Sequence, residues 1–128
     1  MRALVIAVLV SSMAGAAADA AAAGTVTIPS RISIRGDGLD FRGKVRASND
    51  ACEGGRKVVL YRRFSNGDSQ PLGSTTTSAS GKWHISASGS AGITMSHFFA
   101  KVRKRTDGTA GTTFICQKAR SRTIPYQP

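Results

Sequence analysis

Apolar and polar residues alternate along much of the chain. In Phe41-Arg42-Gly43-Lys44-Val45-Arg46-Ala47 the apolar positions fall on one side, and Arg42, Lys44 and Arg46 on the other. In His97–Arg105, Phe98, Ala100 and Val102 alternate with His97, Phe99, Lys101, Arg103 and Arg105. Val58 and Leu60 share one face of a third run, Val59 and Tyr61 the other, and Trp83 and Ile85 alternate with Lys82 and His84. A period of two is the signature of a half-buried strand. Strands are predicted at Thr25–Ile28, Ile32–Arg35, Leu39–Ala47, Arg56–Phe64, Leu72–Ser78, Lys82–Ser86, His97–Arg105, Thr113–Gln117 and Arg120–Ile124. Turn signals separate them at Gly36-Asp37-Gly38, Asn66-Gly67, Ser80-Gly81 and Asp107-Gly108. Beyond the first two dozen residues no segment carries a helical period. The pattern predicts an all-β protein, an antiparallel Greek-key β-sandwich of about seven to nine strands. The expected core is Phe41, Val45, Val58, Leu60, Trp83, Ile85, Phe98, Val102 and Phe114.

The first residues follow a different pattern. Met1-Arg2 precedes the unbroken apolar run Ala3–Val10, and small residues follow. This is the arrangement of a secretory signal peptide, with cleavage expected after Ala20 or Ala23. The run is shorter than the roughly 20 residues a membrane span requires. Residues 1–23 are thus read as a leader, 24–38 as an N-terminal arm or edge strand, and 39–128 as the sandwich domain. All aromatic residues lie at or after Phe41, which is why the preceding segment is read as an appendage. About 105 residues remain after cleavage, enough for one core. The expected product is a secreted monomer with no transmembrane segment, free or associated with the cell wall by charge.

Cys52 and Cys116 are the only cysteines. In an oxidising compartment they are expected to form one intrachain disulfide. Neither lies in a Cys-x-x-Cys pair, so redox chemistry is not indicated.

The order of residues carries a resemblance. Phe41-Arg42-Gly43-Lys44-Val45, Cys52, and Gly55-Arg56-Lys57-Val58-Val59-Leu60-Tyr61-Arg62 form a first half. Leu72-Gly73-Ser74-Thr75-Thr76-Thr77, Gly81-Lys82-Trp83, Phe99-Ala100-Lys101-Val102, Cys116 and Ala119-Arg120-Ser121 form a second. From about Phe41 to Ile124 the chain resembles small secreted actinobacterial proteins with a prealbumin-like β-sandwich, of the transthyretin or carboxypeptidase-regulatory-like type. The resemblance implies an immunoglobulin- or prealbumin-like fold and the disulfide, and no activity. Ser78 stands where related domains often have Asp, so a turn-capping carboxylate is missing and a cation site there is put in doubt.

Catalytic signals are sparse. A nuclease-like set of Glu53, His84 or His97, and Arg56 can be composed, but nothing in the spacing brings it together. A small secreted hydrolase is therefore the alternative reading, and a purely structural extracellular domain a further one. No catalytic residue, metal ligand set or cofactor is assigned. Arg35-Gly36-Asp37 matches an adhesion tripeptide and is placed in a loop. Lys44 is read as an exposed lysine rather than a crosslinking one.

Charge is the feature that suggests a partner. The formal net charge is +11, from 18 Lys and Arg against 7 Asp and Glu. The bases fall in two blocks, Arg31–Arg63 and Lys101–Arg122, with Lys82 alone between them. Arginine predominates after the leader, and its planar guanidinium matches phosphate, sulfate and carboxylate by two parallel hydrogen bonds. A basic face of Arg42, Lys44, Arg46, Lys101, Arg103 and Arg105 is expected to bind an anionic cell-wall polymer or polysaccharide, with nucleic acid as the second choice. Tyr61 and Phe99, read as exposed beside these bases, could stack on rings.

Overall fold

The computed structural model describes residues 24–89, 92–109 and 111–128. The expected leader, residues 1–23, lies outside the described residues. Twelve strands are present among the described residues. In chain order they are β1 (Thr25–Ile28), β2 (Ser30–Ile32), β3 (Arg35–Asp37), β4 (Asp40–Ala47), β5 (Lys57–Arg63), β6 (Ser69–Thr76), β7 (Lys82–Ser86), β8 (His97–Val102), β9 (Arg105–Thr109), β10 (Thr112–Cys116), β11 (Ala119–Arg120) and β12 (Ile124–Pro125). Two short 3-10 turns, Asp50–Cys52 and Ile93–Met95, are the helical elements described. The all-β reading holds.

The strands form two large sheets and a small one. In the first, β4 is central, with β2 and β3 on one side and β7 on the other. In the second the order is β11-β8-β5-β6, with β12 also paired to β8. Their apolar faces enclose one core. Ile32, Ile34, Phe41, Val45, Trp83 and Ile85 come from the β4 side, and Val58, Leu60, Phe98, Ala100, Val102 and Ile124 from the β8 side. Phe41 and Phe98 meet across it with ring centroids 4.7 Å apart. The N-terminal segment supplies edge strands, β1 to the small sheet and β2 and β3 to the β4 sheet, and it buries Ile28, Ile32 and Ile34.

One close approach shapes the β4 sheet. Between β2 and β3 the register against β4 is unbroken, and Ser33 N–H donates to Lys44 O at 2.9 Å. A Cβ on Gly43 would lie 1.9 Å from Ser33 O, so only glycine fits there. The Trp83 indole also donates to Ser33 O, at 3.2 Å.

The third sheet, β1-β10-β9, pairs β1 with β10 in parallel, which departs from the purely antiparallel expectation. Ile28, Cys52 and Cys116 form a second buried cluster there, with Phe114 half-buried against it rather than in the main core. The Cys52–Cys116 disulfide is formed, with Cα atoms 5.4 Å apart.

Several local expectations shift. The Asn66-Gly67 turn joins β5 to β6 as expected, with Gly67 at φ 94° and Asp68 N–H donating to Asn66 Oδ1. Asp107-Gly108 lies inside β9, and the chain reverses beyond Thr109. Arg35-Gly36-Asp37 is strand β3 rather than a loop, held against β4. Ser78 caps its turn with a hydroxyl, which accepts from Lys82 N–H at 3.2 Å.

Candidate anion-binding sites

The six expected basic residues do not share a face. Arg42, Lys44 and Arg46 stand on β4, whereas Lys101 stands on β8 in the opposing sheet. Arg103 lies between β8 and β9, and Arg105 opens β9 in the small sheet. Alternation fixed the side of each strand correctly, but strand pairing separated the two groups. Arg105 is also committed to structure: its guanidinium donates to Gly54 O at 2.8 Å and to Ala51 O, and it pairs with Asp107 at 3.1 Å.

Each half acquires new neighbours. On the outer face of the β4 sheet the register sets Arg31 opposite Arg46, and Lys44 opposite Lys82. Arg42 stands between Arg35 and His84. These residues are exposed, except Lys44, which is half-buried rather than exposed as expected. The rows end at Asp37 and Asp40, where Asp40 accepts from the Ser86 hydroxyl at 2.6 Å and lies 3.4 Å from His84 Nε2. The Ser86 hydrogen bond chiefly lowers the Asp40 pKa; burial opposes it, and His84 adds to it. Part of this face lines a shallow depression of about 940 Å³ that includes Arg35, Arg42, Lys44, Lys82 and His84.

The outer face of the β8 sheet carries a different site. Tyr61 and Phe99 are in register and stack, with centroids 5.2 Å apart and planes at 10°. Phe99 points outward as expected, yet it is only 2% exposed. The Arg120 guanidinium covers its ring at 3.9 Å, and Lys101 Nζ lies 5.3 Å from the Tyr61 ring. Lys101 and Arg120 are themselves in-register neighbours. A pocket of about 480 Å³ opens beside them, lined also by Arg103, Lys104 and Lys118.

Arg56 lies beneath this region, fully buried. Its guanidinium donates to Cys52 O, to Ser30 Oγ at 3.0 Å, and to Arg103 O and Gln117 O at 2.9 Å each. Burial first, and the Arg105 charge second, lower its pKa from the ordinary arginine value. The nuclease-like set does not converge. Arg56 is spent on these oxygens, and the Glu53 carboxylate accepts from Ala47 N–H at 3.0 Å. His84 is in register with Arg42, five residues back along β4, or about 17 Å at strand rise. His97 opens β8, opposite Pro125. Among the described residues no three of His, Cys, Asp and Glu are grouped to hold a metal ion, and no helix is long and apolar enough to cross a membrane.

Sequence reasoning missed Arg31, Arg35 and Lys82 on the β4 face, and Lys104, Lys118 and Arg120 at the pocket. Alternation marked Lys82 as outward; its partner strand was the missing information. No protein-family model matches the chain, and no curated protein shows significant similarity to it.

Proposed function

We propose that the chain is a secreted, non-enzymatic β-sandwich that binds an anionic surface polymer along the outer face of its β4 sheet. The observation that carries this reading is the succession of like-charge rows: Arg31 with Arg46, Lys44 with Lys82, and Arg35 with Arg42. Like charges directly opposite each other in a sheet are destabilising. A bound polyanion relieves that repulsion. Rows recur every second residue, about 7 Å apart along β4, so an extended polymer with charges at a similar interval meets one row per repeat. The leader-like segment supports export, and the resemblance to prealbumin-like secreted domains supports the compartment.

The test is retention of the mature domain on an immobilised sulfated polysaccharide across a salt series. With about four to six charges neutralised, the logarithmic salt slope should be about 3 to 5. Replacing Arg42, Lys44 and Arg46 together by Ser should lower that slope by about two, with the thermal midpoint unchanged or raised. Retention that is indifferent to salt, or a slope untouched by the triple replacement, refutes the reading.

A further inference from the structure

The geometry points to a second, separate site: the pocket on the outer face of the β8 sheet binds a phosphomonoester carried on a ring. It lies on the opposite sheet from the polymer-binding rows and does not depend on them.

Lys101, Arg103, Lys104, Lys118 and Arg120 line this pocket of about 480 Å³, and no carboxylate does. Among the described residues none of the five forms an ion pair. Its volume falls within the range of small-molecule sites. So dense a group of cations favours a ligand with more than one negative charge. A carboxylate or a sulfate ester brings one, whereas a phosphomonoester brings nearly two at neutral pH and three acceptor oxygens. Arg103 and Arg120 supply the planar forks that engage such oxygens in pairs.

The apolar side chains on this outer face are Val59 and the Tyr61 ring; Val102 and Ala119 border the pocket but pack toward the core. Cations around an apolar floor suit a phosphate attached to a ring with an apolar face, in a sugar or a nucleoside. The aromatic pair does not act as a stacking platform for that ring at Phe99, because Arg120 already covers Phe99. The stack instead orders the cations. Arg120 on Phe99 and Lys101 over Tyr61 are held by cation–π contacts before any ligand arrives, which reduces the ordering cost of binding. Arg56 acts as a positioning residue, since it grips the carbonyls of Arg103 and Gln117 and so fixes the links that carry Arg103, Lys104 and Lys118.

Calorimetric titration of the mature domain at about 0.15 M salt tests the site, because nonspecific attraction is largely screened there. Glucose 6-phosphate and adenosine 5′-monophosphate are the ring-bearing probes, and inorganic phosphate is the comparison. At least one ring phosphate should bind about tenfold more tightly than inorganic phosphate, and the tighter one identifies a sugar or a nucleoside source. The Lys118→Gln/Arg120→Gln pair should weaken that binding about tenfold, whereas Arg63→Gln, exposed on the same sheet face but outside the pocket, should change it less than twofold. If Arg120→Gln disturbs packing on Phe99, Lys104→Gln/Lys118→Gln, both at exposed residues, carries the same expectation. No saturable binding, equal affinity for inorganic phosphate, or an equal effect of Arg63→Gln overturns the proposal. Polymer retention is measured separately, so either site can fail alone.

Discussion

Arg56 sits among oxygen atoms with no carboxylate among its partners. Three backbone carbonyls and one hydroxyl take the place of a counter-ion, and they come from four different stretches of chain. Hydrogen bonds to a charged group contribute more than neutral ones, and a buried carbonyl left unpaired is costly. Arg56→Met should therefore destabilise by about 3 kcal/mol or more in urea unfolding, with Arg56→Lys intermediate; a loss below about 1 kcal/mol would count against the clamp. Asp40 makes a smaller, pH-dependent contribution. Its folded pKa lies below the ordinary 3.8, chiefly through the Ser86 hydroxyl. The stabilisation is thus complete above the unfolded pKa and disappears as pH falls through the folded one. In a carboxyl titration followed by NMR, Ser86→Ala should move the Asp40 midpoint up toward 3.8; an unmoved midpoint would exclude that hydrogen bond as the cause.

Among the elements, β1 and β7 have the bounds expected from the sequence, because four or five alternating residues between turn formers allow little else. Turn chemistry was less decisive. Asp107-Gly108 could have formed a hairpin turn, but the register of Thr109 with Thr112 moves the reversal toward Gly111. Apart from the β5–β6 hairpin at Asn66-Gly67, pairing partners were not legible. A period of two specifies which side of its own strand a residue takes, while the choice of sheet depends on contacts far apart in sequence. Phe99 illustrates the same limit, since an outward side chain becomes buried when Arg120 from a later strand lies over it. The disulfide was legible from the number of cysteines and the oxidising compartment expected from the leader-like segment. It joins the turn after β4 to the end of β10, closing a separation of 64 residues. Replacing both Cys52 and Cys116 by Ala should cost about 4 kcal/mol, and a change under about 0.5 kcal/mol would mean that the bridge is not structural.

At the scale of the whole molecule, the charge of +11 and the all-β class could be read directly, whereas the division of that charge between two opposed faces could not. The β4 face offers an extended row system, and the β8 face a compact pocket over an aromatic pair. The parallel pairing of β1 with β10 has a consequence in time. Thr25–Ile28 must wait for Thr113–Cys116, almost the whole length of the described chain, before the small sheet can form. Arg56 likewise cannot complete its bonds until both Ser30 and Gln117 are present. A chain delivered from its N-terminus therefore cannot finish folding piecemeal as it emerges. Its last strands close structure begun by its first, and such non-local topologies reach the native state in milliseconds to seconds rather than microseconds.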